Sequence, residues 1–315
     1  MNLGFWPSLR DPIFALAPMH DVTDAAFRRL VAEIAKPDVL FTEFAAVDGL
    51  THEKSREKMI RHYLGFSEIE RPIVAQLWGN NPDHFYTSAQ LIEKLGFDGV
   101  DINMGCPDKK VVSLGGGAAL IQDPARAIEI IQAVKEATQL PVSIKTRLGF
   151  NTVDFSFIQK IAAVKPVAIT IHARTKKELS LVPAHWNDIA RVVPELHKQG
   201  IIVLGNGDVK TRQEVLQRVE ETGVDGVMIG RGVFGNPWIF SDKEREISLK
   251  EKLAALLRHA ELFENIFGES KNFSVIKKHV HGYIHGFDGA KEMRNKLVQA
   301  KKLNEMQKIL KNLLY

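Results

Sequence analysis

The chain carries a single cysteine, Cys106, in 315 residues, so it cannot close an intrachain disulfide. It has no Cys/His cluster at metal-ligand spacing, and no metal is expected. Residues 1–10 lack a basic segment leading into an apolar run, so no signal peptide is expected. No uninterrupted apolar stretch approaches the roughly 20 residues that a membrane helix needs. These absences exclude a disulfide-stapled scaffold, a zinc module and a helical membrane protein, and they set a cytoplasmic location with no membrane contact as the expectation. What is present is 45% hydrophobic and 25% charged, the balance of an ordinary globular chain.

The net charge of +4 is unevenly placed. Residues 271–315 hold ten Lys or Arg against three Asp or Glu, an excess of seven, which leaves the rest of the chain at −3. A basic tail on a slightly acidic body fits a polyanionic partner, because Lys and Arg gain affinity by releasing counterions from phosphates. It equally fits a solvated helical surface.

The first three quarters alternate short apolar runs with amphipathic stretches. Strands are expected at 13–18, 39–44, 72–78, 99–104, 141–147, 168–173, 201–207 and 226–232. Helices are expected at 24–35, 82–95, 124–137, 155–164 and 212–221, several opened by start signals such as Thr23-Asp24, Asn81-Pro82 and Asp123-Pro124. Eight strand segments read as apolar runs fit a parallel sheet covered on both faces, closed as a (β/α)8 TIM barrel of about 250 residues. After Trp238 strand signals stop, and helices are expected at 249–267, 273–284, 290–300 and 305–314. The fold expected is therefore α/β: a TIM barrel over 1–241 and an all-helical segment over 242–315.

In such a barrel the active site lies at the carboxyl ends of the strands, and the unusual residues gather there. They are Pro18 and Met19, Gln76, Asn103 with Cys106, Lys145 with Arg147, and His172 with Arg174; the last two segments supply Asn206-Gly207-Asp208 and Gly230-Arg231-Gly232. The two glycine loops read either as tight turns or as a phosphate cradle, with backbone N–H groups and Arg231 as donors. Lys145 and His172 sit in apolar strands. A lysine there needs a partner, such as an anion or an electron-rich ring like a reduced flavin, whereas a histidine alone reads as a satisfied core residue. Cys106, in a strand-end loop, could serve as nucleophile or proton donor. Gly115-Gly116-Gly117 reads as a flexible loop that could move over a substrate.

Together these motifs resemble the tRNA-dihydrouridine synthases over nearly the whole chain. The resemblance runs from Leu16-Ala17-Pro18-Met19 with Thr23-Asp24, through Thr42-Glu43 and Asn103-Met104-Gly105-Cys106-Pro107, to Lys145-Thr146-Arg147-Leu148-Gly149 and His172-Ala173-Arg174-Thr175. It closes with Gly205-Asn206-Gly207-Asp208, Met228-Ile229-Gly230-Arg231-Gly232 and, in the tail, Gly286-Phe287-Asp288-Gly289-Ala290-Lys291-Glu292. The stretch from Cys106 to Val111 leans toward the bacterial B-type branch.

The resemblance implies an oxidoreductase in which NADPH reduces FMN and the flavin passes hydride to carbon 6 of a flipped uracil, while Cys106 protonates carbon 5. It implies that Gln76, Lys145, Pro18 and Met19 hold the ring with His172 beside it, that Asn206, Gly207, Gly230 and Arg231 hold the phosphate, and that Asp208 belongs to the same cofactor site. Asn103, Arg174 and Lys109 would contact the substrate, tRNA, which the basic tail would grip; a monomer is expected. The chain departs from the pattern at Ser180, where many members have tyrosine, and at His185, where they have an acid. It departs again at Val112 and Ser113, where an Asn-Arg pair is common; these differences bear on RNA contacts rather than chemistry. Two other readings stay open: an FMN barrel acting on a small molecule such as dihydroorotate, and an RNA-binding scaffold without catalysis.

Overall fold

Parallel pairing between apolar strands closes the first part of the chain into a ring. The computed structural model describes residues 2–243 and 245–314, residues 311–314 by backbone alone. The strands are β1 (Ile13–Leu16), β2 (Val39–Phe41), β3 (Ala45–Ala46), β4 (Ile73–Trp78), β5 (Gly99–Met104), β6 (Val142–Gly149), β7 (Ala168–Thr175), β8 (Ile202–Asn206) and β9 (Gly226–Ile229). β1 pairs with both β2 and β9, and β2 with β4, so eight strands form a closed barrel with the short β3 laid beside β4. All eight expected strands are present, and β6 and β7 each run two residues past their expected ends.

The expectation of purely apolar strands needs correction on one side of the barrel. The interior is apolar where β1, β2 and the lower barrel contribute Ile13, Ala15, Val39, Phe41, Val74, Ala168, Leu204 and Met228. On β4 through β8, however, the outward phase is apolar while the inward phase carries Gln76, Asp101, Asn103, Ser143, Lys145, Arg147, Thr170, His172, Arg174 and Asn206. Neighbouring inward residues pair directly in register, Gln76 with Asp101, Asn103 with Lys145, and His172 with Asn206. A strand that alternates in this way has one face against helices and the other against a polar interior.

The outer layer comprises α1 (Ala25–Ile34), α2 (Val47–Thr51), α3 (Glu53–Met59), α4 (Pro82–Lys94), α5 (Lys109–Ser113), α6 (Pro124–Ala137), α7 (Phe155–Ala163), α8 (Trp186–Lys198) and α9 (Arg212–Thr222). The expected caps form: Asp24, Asn81 and Asp123 each accept a backbone N–H from the first turn of α1, α4 and α6. α8 keeps Pro194 in its interior, where sequence logic reads a stop. The C-terminal helices are α10 (Leu249–Phe267), α11 (Lys277–Tyr283), α12 (Ala290–Leu297) and α13 (Leu303–Leu314). The helix expected at 273–284 starts as a 3-10 turn, Phe273–Ile276. No helix among the described residues is long and apolar enough to cross a membrane.

The C-terminal helices dock directly on the barrel's outer helices. α10 packs along α1, and the Arg258 guanidinium donates to both Glu33 carboxylate oxygens at 2.9 Å. The Phe27 ring of α1 meets His259 and His279 at centroid distances of 5.2 and 4.5 Å. Backbones touch at Gly235 and Gly282: with φ at +68°, a Cβ on Gly235 would stand 1.7 Å from the Gly282 carbonyl oxygen. Gly235→Ala must therefore both strain the backbone and push α11 away. We expect it to cost about 2–4 kcal/mol, seen as a lower thermal midpoint; a wild-type midpoint would mean that this contact yields freely.

Candidate active site

A cavity of about 890 Å³ opens at the carboxyl ends of the strands. Eleven of the fourteen residues singled out from sequence line it, contributed by the ends of β1, β5, β6, β7, β8 and β9. Gln76, Arg174 and Lys109 do not. Gln76 is buried beneath the cavity floor, Arg174 is buried behind His172, and Lys109 is exposed on α5 outside the rim.

The floor beneath Cys106 is a chain of hydrogen bonds. Ser143 Oγ and Gln76 Nε2 donate to the two Asp101 carboxylate oxygens at 2.6 and 2.7 Å. Asn103 Nδ2 donates to Gln76 Oε1 at 2.9 Å, which leaves Asn103 Oδ1 to accept from the backbone N–H groups of Gly105 and Cys106 at 3.1 and 2.9 Å. The buried carboxylate therefore orients two amides in turn and fixes the loop that carries the thiol. Arg147 holds the same loop from the side, donating to Gly105 O at 2.7 Å and to the carbonyls of Thr175 and Leu179 at 3.2 and 3.1 Å. Burial and the Asp108 charge hold the Cys106 thiol above its ordinary pKa, so it is protonated at neutral pH.

Gly115-Gly116-Gly117 is not a mobile cover. Gly116 and Gly117 are buried, and Gly117 opens the 3-10 helix Gly117–Gln122 at φ +57°. A Cβ there would come within 2.8 Å of Cys106 O, so glycine is needed to let this segment back against the cysteine.

Cations gather beside the Cys106 loop, on β6 and the strands after it. Among the described residues the one hydrogen bond of the Lys145 ammonium is to Asn206 Oδ1 at 3.3 Å. Burial, and next the Arg147 charge, lower its pKa to about 8 against the pull of Asp101. His172 Nδ1 lies 2.7 Å from the same Asn206 oxygen, while Asn206 Nδ2 donates to Met228 O at 2.6 Å. Since that oxygen only accepts, His172 carries its proton on Nδ1; burial and Lys145 drive its pKa far down and keep it neutral. Asp208 bridges two arginines: it is paired with Arg174 and accepts from Arg231 at 3.1 Å, with Ala184 N–H at 3.0 Å on the Arg174 side. The departing residue His185 faces Glu178 at 3.0 Å, whose carboxylate also accepts from Thr175.

The dihydrouridine synthase family model matches residues 15–314 of this chain. The chain belongs to the dihydrouridine synthase family. It is 40% identical to "Probable tRNA-dihydrouridine synthase 2" of Bacillus subtilis, over 98% of this chain and 96% of that one. A Staphylococcus epidermidis protein named "Probable tRNA-dihydrouridine synthase" is also 40% identical, over the same shares, and a Staphylococcus aureus protein of that name matches at 40% over 98% and 95%. A solved structure of a morphinone reductase mutant in complex with tetrahydroNAD superposes with a TM-score of 0.51 at 13% identity, covering 76% of this chain and 87% of that one. At that identity the likeness speaks for the barrel alone.

Sequence reasoning passed over several residues of this family member's site. Asp101 stands two positions before Asn103, in phase with it on β5, and that phase was the available signal. Phe44 and His285 line the cavity from the end of β2 and from the C-terminal helices. Only non-local packing brings His285 there. Asp101 has its pKa raised to about 6, chiefly by burial and against the bonds from Ser143 and Gln76. A carboxyl whose folded pKa exceeds its unfolded value stabilises below the unfolded value and loses that stability as pH rises through the folded one. Between pH about 4 and 6, then, ionisation of Asp101 should erode up to about 3 kcal/mol. Urea unfolding at pH 4 to 7 should show a shallower slope in Asp101→Asn than in the wild type, the remainder coming from Glu43, which is also raised; equal slopes would mean that Asp101 titrates normally.

Proposed function

We propose that this protein is an FMN-dependent tRNA-dihydrouridine synthase, driven by NADPH, that reduces specific uridines of tRNA. The observation that carries the reading is one cavity that holds a protonated thiol in the loop after β5 and an under-bonded ammonium on the adjacent β6. Residues 1–241 would be the catalytic unit and 242–315 the tRNA-binding one, acting as a monomer and without a metal. The family membership supports the reaction class; the roles of individual residues rest on the geometry.

The residues fit the cofactor in charge and in space. Lys145, with spare N–H donors at the cavity wall, suits the anionic edge of a reduced flavin ring. Pro18 and Met19 would face the ring, and Gln76 would support it from below through Asn103. His172, neutral, would lie beside it. The phosphate would sit against Asn206, Gly207, Gly230 and Arg231, with Asp208 holding Arg231 in place rather than touching the anion. When bound and reduced, FMN supplies a hydride to carbon 6 of the uracil.

Every other task falls to the protein. The thiol of Cys106 gives its proton to carbon 5 on the opposite face and is reprotonated from solvent. Asn103 holds the thiol's loop and, with Arg174 acting from behind His172, orients the base. Lys109, exposed on α5 outside the rim, would meet the RNA backbone. The base has to leave its stack to reach the cavity.

Mass spectrometry of nucleosides from unmodified tRNA, incubated with the protein, FMN and NADPH, should show dihydrouridine. A yellow protein that oxidises NADPH and makes none would keep the flavin barrel and reassign its substrate to a small molecule. Cys106→Ala should retain flavin and tRNA affinity but lose about 10²–10⁴ in turnover, the range of general acid catalysis; wild-type turnover would remove the thiol from the chemistry.

Lys145 generates a second test. An ammonium with a pKa of about 8 loses its charge above that pH, so affinity for reduced FMN should fall as pH rises beyond it. Anaerobic titrations with reduced FMN from pH 7 to 9.5, followed by absorbance, read this directly. In Lys145→Met the dependence should vanish; a wild type whose affinity is flat across that range would place the ammonium away from the flavin.

A further inference from the structure

Beside the cavity, a row of rings continues from one of its lining residues. Phe44 lines the cavity itself. The His20 ring follows at a centroid distance of 5.6 Å, Tyr63 stacks on His20 at 6.0 Å and 19°, and His62 lies 6.4 Å beyond. They come from three places: the loop after β1, the end of β2, and a π-helical turn, Ile60–Leu64. Single π-turns within helical runs often mark functional sites. The side chain of His20 is half exposed. Its ring nitrogens come no nearer than 3.7 and 3.9 Å to the carboxylates of Glu43 and Asp21, too far for hydrogen bonds.

His20, Asp21 and Glu43 are close enough together to suggest a cation site. The protein fills that role itself: the Lys271 ammonium lies 3.1 Å from Glu43 and 3.3 Å from Asp24, and Lys278 lies 3.3 Å from Asp21. With its acids neutralised from within, this region presents ring faces and not a charge trap. Lys58 and Arg61, both exposed, stand close enough for their charges to act on His62.

We propose that His20 and Tyr63 form a stacking shelf for an unpaired RNA base next to the uridine held in the cavity. The proposal rests on the functional reading above. When a uridine is flipped into a pocket, its neighbours in the strand each lose a stacking partner. An aromatic surface continuous with the pocket wall replaces that partner, and it tolerates any base because every base has a π-face. Lys58 and Arg61 would meet the phosphates on either side. The same rings could otherwise serve the nicotinamide of NADPH, but of the row only Phe44 lines the cavity, so His20 and Tyr63 stand outside the pocket in which a nicotinamide would have to meet the flavin.

The test uses full-length protein with FMN. Alanine at a base-stacking aromatic commonly weakens binding tenfold or more, so His20→Ala and Tyr63→Ala should each raise the KM for tRNA about tenfold. At saturating tRNA, kcat should stay within about twofold, and His20→Phe and Tyr63→Phe should restore the KM. A tRNA carrying 2-aminopurine beside the mapped uridine should be quenched by wild type and by the phenylalanine variants, but not by the alanine ones. Unchanged KM and quenching in the alanine variants, while the wild type makes dihydrouridine, would overturn the shelf alone. A rise in the KM for NADPH instead would also overturn it and assign the rings to the nicotinamide. A wild type that makes no dihydrouridine overturns the shelf together with the function beneath it.

Discussion

An ammonium inside a barrel must find oxygen, and the interior of this barrel is arranged around Lys145. Desolvating such a charge costs several kcal/mol unless partners restore what water gave. Here the return is partial: one amide oxygen from Asn206, and the field of Asp101 one strand away. The consequence is visible on both sides. The lysine's pKa falls to about 8 and that of Asp101 rises to about 6, each group pressed toward neutrality without reaching it at pH 7. A site left short of one anion has binding energy in reserve for an anionic ligand. The polar phase of β4 through β8 exists to hold that imbalance in place, with Ser143, Gln76 and Asn103 bonded on one side and His172 and Asn206 on the other.

A second buried ammonium, Lys271, does structural work at the rim. It reaches from the C-terminal segment to Glu43 at the end of β2 and Asp24 at the cap of α1. Burial and the Asp24 charge raise the Glu43 carboxyl to about 7, while the carboxylates raise the lysine. Removing one partner of such a cluster strands the others, which is far costlier than the net worth of the pair. The tail is thus joined to the mouth at the point where the loops after β1 and β2 begin. This also divides the tail's positive charge: Lys271 and Lys278 pair with the barrel and Arg294 with the Ile284 carbonyl, while Lys291, Lys296, Lys301, Lys302 and Lys308 remain exposed.

Strands were legible because apolar runs of five to eight residues between start and stop signals have few other solutions in an α/β chain. Most of the site was legible for a related reason: unusual residues at strand ends of a barrel share one mouth. Depth was not legible. Gln76 and Arg174 have the right phase but stop short of the cavity, because phase gives the face of a strand and not the height of its neighbours. Asp101 was hidden by being in a run that reads as apolar, and His285 by arriving from a segment nearly two hundred residues away in sequence. The glycine triplet was misread because glycine signals freedom and close packing alike, and only the Cys106 carbonyl beside Gly117 separates the two.

Two roles for a lone cysteine in a strand-end loop were open from sequence, and the surroundings favour one. A nucleophilic cysteine needs a thiolate at neutral pH, which a nearby cation, a helix N-terminus or a paired histidine provides. Lys145 and Arg147 do pull the Cys106 pKa down, but burial and the Asp108 carboxylate outweigh them. His172, one of two histidines that line the same cavity, is neutral and bonded to Asn206, so it is not placed as the thiol's base. A thiol that keeps its proton, on a backbone held rigid by Asn103 and Arg147, is suited to giving that proton at one fixed point. The same rigidity suits the proposed role, since protonation at one fixed atom depends on position before it depends on acidity.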